Sequence, residues 1–427
     1  MITSSTWGGK RYAVLGLARS GTATVDALLA SGANVVAWDS DAAKRRGDAE
    51  WADPLTLDLT NFAAVVVSPG VPLNRHPIAG HAAKFGVPVI GDIELFAQAR
   101  HQLPPHKVVG ITGTNGKSTT TSLVHHILKT AGVPTTMGGN IGLPILAQEP
   151  LTEGGVYVLE LSSFQIDLTF TLDCDVAMLL NITPDHLDRY ESFEAYAASK
   201  ARLFEMQTRN HSAVLAPLEH EVWKVWEHLV GRGVVRLHEA WASDAQVLGQ
   251  AGWPCLQGLH NAENAMTAWE VADVLGLSRT VIEQALHTFP GLPHRTEHIR
   301  ERGGVTFVND SKATNPTSTA PALAAFPAIR WILGGQAKTA ELDACVPHFG
   351  NVRSAYAIGE AGPMFVELLR PHMPVEDSGT LDVAVAHAAR DAQPGDTVLL
   401  SPACASFDQF RDYEDRGDRF RTLVKAL

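Results

Sequence analysis

The residues with the most pointed chemistry lie between Val108 and Thr120. There an apolar run, VVGIT, passes into the turn Gly113-Thr114-Asn115-Gly116-Lys117-Ser118-Thr119 and then into a helical pattern rich in Thr, Leu and Val. Glycines let backbone amides approach a phosphate chain closely, a lysine adds a point charge, a serine hydroxyl can ligate Mg²⁺, and a helix start presents its positive dipole end. All of these parts serve one anion. The spacing is a variant of GxxxxGK[ST], because five residues separate Gly110 from Gly116 and Ile111 holds the place of the first glycine. A plain glycine turn ahead of a surface lysine is the competing reading, and the strand before and the helix after disfavour it.

Three more side chains have chemical potential. Glu160 closes VYVLE, which reads as a central parallel strand, and open α/β sheets bind ligands at the carboxyl ends of their strands. A carboxylate in an apolar strand needs a cation or hydrogen bonds, so a Mg²⁺ contact and a structural ion pair both satisfy it. His186, in PDHLD after the run VAMLLNIT, falls in a strand-to-helix loop where catalytic groups concentrate, although a lone histidine is often structural. Lys200 shares a helical face with Phe193, Tyr196, Ala197, Leu203 and Phe204. A lysine there either snorkels to solvent or is converted by CO₂ into an anionic metal ligand, and periodicity leaves both open.

Nearer the start, Gly16-Leu-Ala-Arg-Ser-Gly21 follows a strand-like run and Asp39 ends the next one. That arrangement is similar to a dinucleotide fingerprint but lacks GxGxxG, since Ala18 stands at the second glycine position.

The elements that must hold these residues alternate in βαβ fashion. RYAVLG, a helix through Ala23 to Ala30, NVVAWD and AAVVVSPG imply a parallel sheet. The polar, proline-bearing HQLPPHK interrupts the pattern, and KVVGITG, VYVLELS and VAMLLNIT begin a second α/β domain. FPGLPHR breaks it again, and alternation restarts at Val305, continuing through IRWILGG, VRSAYAIG and DTVLLSPA. Three α/β domains are therefore expected, at 1–95, 96–292 and 293–427: an N-terminal Rossmann-like sheet, a central P-loop-type mononucleotide-binding sheet and a C-terminal Rossmann-like, doubly wound sheet.

A chain of 427 residues, 45% hydrophobic, exceeds what one core usually organises, which agrees with several domains. The formal charge of −12 disfavours a long basic face, so broad nucleic-acid binding is not expected. The four cysteines form no CxxC pair, which argues against a zinc knuckle or disulfide framework and for a reducing compartment. Residues 1–11 lack an apolar core of signal-peptide length, and no run approaches the roughly 20 apolar residues that span a bilayer, so a soluble cytoplasmic protein without membrane association is expected.

Taken together, GTNGKST at 113–119, GGNIG at 138–142, ELSSFQ at 160–165, DHLDRY at 185–190 and LPHR at 292–295 resemble the Mur ligase family over nearly the whole chain. NDSKATN at 309–315 and SPACASFDQF at 401–410 resemble the branch that joins D-glutamate to UDP-N-acetylmuramoyl-L-alanine, a step of cytoplasmic peptidoglycan precursor synthesis. The resemblance implies domains for the UDP-sugar, for ATP and for the incoming amino acid, two Mg²⁺ ions, an acyl-phosphate intermediate and a monomer. Lys117, Glu160, His186 and Lys200 become the catalytic set, with Ser118, Glu160, His186 and a carbamylated Lys200 at the metals. Asn261, Asn264, Arg295 and Asp310 join residues 113–119 around ATP. Asn140 falls to the muramoyl substrate, Ser68, Ser162 and His186 to substrate binding, and Arg19, Ser20 and Ser40 to the uracil and pyrophosphate, where this chain has Asp41 just beyond Ser40 and relatives can carry a basic residue. Lys312, Thr314, Lys338, Ser406, Phe407 and Tyr413 form the amino-acid pocket. A dicarboxylate there wants cations with hydroxyl and backbone donors. By spacing alone, Lys338 also reads as a solvated loop lysine and Ser406 as a helix N-cap.

Overall fold

The computed structural model describes residues 1–186, 188–216, 220–231, 236–337 and 340–427. Apolar runs and glycine turns resolve into three sheets. The first holds β1 (Arg11–Leu15), β2 (Asn34–Trp38), β3 (Glu50–Trp51), β4 (Phe62–Val67) and β5 (Val89–Ile90) in the order β3-β2-β1-β4-β5, all parallel. The helix joining β1 to β2 is Arg19–Ala30, starting four residues earlier than its apolar pattern, because Arg19 and Ser20 are polar yet already turn helically after the Gly16 bend.

The second sheet holds β6 (His106–Thr112), β7 (Thr135–Gly139), β8 (Gly155–Glu160), β9 (Val176–Leu179), β10 (Ser212–Leu215) and β11 (Arg236–Glu239), parallel, in the order β11-β10-β9-β6-β8-β7. β6 and β8 sit inside it, and every residue of β8 is buried, as expected for a strand covered on both faces. Side chains from both sheets, among them Val14, Leu28, Phe96, Tyr157 and Leu203, join one continuous core.

The third sheet holds β12 (Glu297–Arg302), β13 (Val305–Asn309), β14 (Ile329–Gly334), β15 (Val352–Ile358), β16 (Val375–Gly379) and β17 (Thr397–Leu400) in the order β12-β13-β17-β14-β15-β16. From β13 onward the strands pair parallel, as expected of a doubly wound sheet, while β12, which precedes Val305, runs antiparallel to β13 and makes the sheet mixed. EHIRER carries too few apolar residues to be read as a strand, and the Gly303-Gly304 turn folds it onto β13 as an edge. The remaining strands alternate faces, with Trp331 and Leu399 in one core and Ile332 and Leu400 in the other.

The chain forms two compact units. One comprises Met1–Leu248 with Glu263–Leu286 and carries the first two sheets; the other comprises Gly249–Ala262 with His287–Leu427 and carries the third. Among the described residues no helix is long and apolar enough to cross a membrane.

Candidate active site

β6 ends at Thr112, and the helix Lys117–Thr130 starts immediately after the glycine turn. Gly113 (φ +151°) and Gly116 (φ +81°) adopt left-handed backbone, which glycine alone takes without strain. A side chain on Gly116 would also collide with Asn264 Oδ1, an oxygen that accepts a hydrogen bond from Thr120 Oγ1 at 3.1 Å. The turn is pinned from β9's far end by Asn181, whose Oδ1 accepts from the amides of Thr114 (3.1 Å) and Asn115 (2.7 Å). Lys117 Nζ donates to the carbonyls of Gly113 (2.9 Å) and Thr114 (2.7 Å), so the cation lies over its own loop, and the Ser118 hydroxyl-bearing side chain is buried at the helix start.

Glu160 is the last residue of β8 and pairs in register with Ile111, which places its carboxylate beside the start of this turn. It is 2% exposed; Oε1 accepts from Asn140 Nδ2 at 2.8 Å, while Oε2 is buried with no hydrogen-bond partner among the described residues. Such an orphaned anionic oxygen is costly unless a cation completes it. Mg²⁺ prefers hard oxygen donors, and the Glu160 carboxylate and Ser118 hydroxyl are of that kind, so the residues present fit a Mg²⁺ ion. Among the described residues no group of three or more His, Cys, Asp or Glu side chains gathers to hold a metal.

Lys200 does not snorkel. It is 1% exposed, its Nζ donates to the Gly113 carbonyl at 2.8 Å, and it lies 4.6 Å from the Tyr196 ring centroid. Burial, helped by the nearby Lys117 charge, pulls its pKa down to about 7. Tyr196 links the group onward, its hydroxyl pairing with Thr114 Oγ1 at 3.0 Å and its ring standing 6.4 Å from that of His186. His186 is a non-glycine residue in left-handed backbone (φ +53°), half exposed, with Phe164 4.9 Å away, centroid to centroid. The first unit thus brings Lys117, Ser118, Glu160, His186 and Lys200 to the carboxyl ends of the central strands of the second sheet.

On the first sheet, the tight Gly16 turn is latched by Ser68 Oγ, which donates to Gly16 O at 2.7 Å, and a Gly21 side chain would run into that same carbonyl. Asp39 accepts from the amides of Leu17 (2.6 Å) and Asp41 (2.9 Å). Against the upward push of burial, these donors with Lys44 and Arg45 hold its carboxyl below the ordinary range. Ser20 and the exposed Ser40 border this turn, and Arg19 Nη2 reaches across to the Gly142 carbonyl of the GGNIG loop at 2.6 Å. Ser162 caps the helix Ser163–Asp167 in a capping box with Gln165, a structural use of its hydroxyl.

In the second unit, Asn261 lies in the helix Leu259–Val274, and its Nδ2 donates to Gln257 O. Arg295 sits between two residues in left-handed backbone, His294 (φ +63°) and Thr296 (φ +44°). Asp310 is buried and accepts from Thr296 N (3.0 Å) and Ser401 Oγ (2.7 Å), yet burial pushes its pKa up to about 7. Lys312 Nζ lies over the Tyr413 ring, 5.1 Å from its centroid, and Thr314 N donates to Lys312 O. Ser406 is not a helix N-cap: Asp412 caps the helix Tyr413–Ala426, and Ser406 instead heads a turn whose carbonyl accepts from Gln409 and Phe410. Phe407 beside it is 69% exposed. Lys338 lies outside the described residues.

The Mur ligase middle-domain model matches residues 111–236, and that of the Mur ligase glutamate ligase domain matches 294–404. The chain is 61% identical to a UDP-N-acetylmuramoylalanine–D-glutamate ligase of Novosphingobium aromaticivorans, covering 100% of this chain and 97% of that one. It is 60% identical to the enzyme of that name from Sphingopyxis alaskensis, covering 100% of both. The chain belongs to the Mur ligase family. Solved Mur ligases share the fold at lower identity. UDP-N-acetylmuramate-alanine ligase MurC from Thermotoga maritima aligns with a TM-score of 0.59 at 15% identity, covering 98% of this chain and 99% of that one. MurF ligase from Thermotoga maritima in complex with ADP aligns at 0.58 and 16%, covering 99% and 97%.

One residue of this Mur ligase escaped the sequence reading although it joins two of the motif-bearing segments of the second unit. Arg416 is 1% exposed and donates to Ser311 Oγ and to the carbonyls of Ser311, Cys404, Ala405 and Gly334, tying the NDSKAT and SPACAS segments together. Its signal was there to be seen, since it heads an apolar stripe with Phe420 and Val424 at four-residue spacing.

Proposed function

We propose that this chain is an ATP-dependent ligase that joins D-glutamate to UDP-N-acetylmuramoyl-L-alanine through an acyl phosphate, acting as a cytoplasmic monomer in peptidoglycan precursor synthesis. The observation that carries the reading is the convergence of the glycine turn, the buried Glu160 carboxylate and the buried Lys200 amine at the carboxyl ends of the central strands. The name borne by relatives at 61% and 60% identity supports the choice of substrates.

A carboxylate is a poor electrophile, so it must be activated before an amine can attack. A substrate carboxylate oxygen bonds to the γ-phosphorus as the bond to ADP breaks, giving an acyl phosphate. The D-glutamate amine then attacks the acyl carbon, phosphate leaves from the tetrahedral intermediate, and the nitrogen loses its proton to give the amide. Lys117 and the amides of residues 113–119 bind and orient the phosphates. Two Mg²⁺ ions, when bound, supply charge neutralisation on the transferred phosphoryl group, held by Ser118 and Glu160, and by His186 with a Lys200 carbamate. An amine with a pKa of about 7 is partly neutral at physiological pH, the form that combines with CO₂ to give a carbamate and a proton. Asn261, Asn264, Arg295 and Asp310 complete the ATP site; Arg19, Ser20, Ser40, Ser68, Asn140 and Ser162 serve the UDP-sugar; and Lys312, Thr314, Lys338, Ser406, Phe407 and Tyr413 receive D-glutamate. The functional domains are 1–95, 96–292 and 293–427.

The decisive assay is phosphate release from ATP with UDP-N-acetylmuramoyl-L-alanine, comparing D-glutamate, L-glutamate and no amino acid. Release that depends on D-glutamate and yields an amide supports the reading. ATP binding without any amide product would identify a nucleotide-binding switch instead.

A further inference from the structure

Glycine in the middle of a helix costs stability relative to alanine, so Gly417, buried in the helix Tyr413–Ala426, needs a reason. The reason is steric. A methyl group at this position would fall inside the van der Waals surface of the His294 ring, against Nδ1, Cε1 and Cγ. The helix therefore approaches the ring edge at a distance only glycine permits.

His294 is tied through its ring Nδ1, its backbone N–H and its carbonyl. Its ring Nδ1 faces Asn309 Nδ2 at 3.0 Å, and that amide also donates to Gly417 O at 3.1 Å. Its backbone N–H donates to Glu297 Oε2 at 2.9 Å, and its carbonyl accepts from Lys312 N at 3.0 Å. It holds left-handed backbone at φ +63°, an uncommon conformation for a side chain of this size that persists only where its surroundings enforce it. The next two residues are Arg295 and Thr296, and Thr296 N donates to Asp310 at 3.0 Å. One wedged ring thus fixes the backbone that presents Arg295, the amide that orients Asp310 and the carbonyl that anchors Lys312.

We infer that His294, seated against Gly417, is a positioning residue that sets the ATP-side pair Arg295 and Asp310 and the amino-acid-side Lys312 as one unit. This rests on the assignments proposed above for those three residues. The substrate-binding groups of both pockets then move together when the ring moves, while the UDP-sugar site on the other unit does not.

The test is Gly417→Ala in the full-length protein, which keeps every charge and improves helix propensity. Michaelis constants for ATP and for D-glutamate should each rise by roughly tenfold, as misplaced binding groups do, with that for UDP-N-acetylmuramoyl-L-alanine unchanged. Adding Gly417→Ala to His294→Ala should produce no further change, because the obstructing ring is gone. Equal penalties in both backgrounds, or a rise for the UDP-sugar alone, would overturn the inference. If Gly417→Ala does not fold, His294→Asn takes its place: asparagine tolerates left-handed backbone but lacks the wedge, and unchanged constants for ATP and D-glutamate would overturn the inference just as firmly. ATP affinity by equilibrium dialysis reads the nucleotide half without any amide product, so failure here is distinct from failure of the ligase reading.

Discussion

Lys200 donates through Nζ to the carbonyl oxygen of Gly113 at 2.8 Å, the same oxygen that Lys117 Nζ reaches at 2.9 Å. Two cations converging on one carbonyl inside the fold is an unfavourable arrangement unless one becomes neutral or is replaced by an anion. Lys200→Ala should therefore abolish ligase activity, with partial recovery on adding short-chain carboxylates that occupy the place of a carbamate. Full activity of this variant in CO₂-depleted buffer would exclude the modified lysine.

The same residue carries a stability signature. Its pKa drops from 10.5 unfolded to about 7 folded, so between those values the unfolded chain binds more protons and stability rises with pH. The cost is fully present below about 7 and vanishes above 10.5. Lys200→Met removes it, and its gain in unfolding free energy over the parent protein, measured by urea titration in CO₂-depleted buffer, should be larger near the lower end of that window than near the upper.

Glu160→Gln keeps an oxygen for Asn140 but removes the negative charge from the orphaned side. Phosphate release should fall by roughly 100-fold or more. Its Mg²⁺ dependence should shift to higher concentration, while thermal unfolding of the metal-free protein occurs no earlier than in the parent, since an unpaired buried anion has been removed.

Gly116→Ala introduces a methyl against Asn264 Oδ1 and places alanine at φ +81°. A displacement of the turn by about 1 Å is enough to lower kcat/KM for ATP by roughly 100-fold. Steady-state kinetics with ATP varied checks this, and parent-like kinetics would show that the turn does not seat the nucleotide.

Asp310 titrates in the opposite sense to Lys200. With its folded pKa raised from 3.8 to about 7, the native state binds the extra proton, so its contribution to stability is complete below 3.8 and lost as pH climbs through about 7. Asp310→Asn should flatten that decline in a pH series of urea unfolding curves.

Much of this was legible before any coordinates. β6 carries the mostly apolar run VVGIT directly before the glycine turn, so both strand and turn are readable locally, and Glu160 stands out as a carboxylate at the end of an apolar strand. β12 was missed because an edge strand with the sequence EHIRER has no apolar alternation; its pairing is set by the Gly303-Gly304 reversal onto β13. Arg416 was missed because one arginine within a charged helix looks solvated until its carbonyl partners, contributed by residues 311, 334, 404 and 405, are brought around it.

By itself the sequence determined the alternation of strands and helices, the phosphate turn and the family, since each rests on residue types within a short window. Only the tertiary structure decided whether Lys200 snorkels or is buried, that one oxygen of Glu160 lacks a partner among the described residues, and that Gly417 makes room for His294. Burial, orphaned polar atoms and steric exclusion depend on which distant segments meet, and no local spacing encodes that meeting.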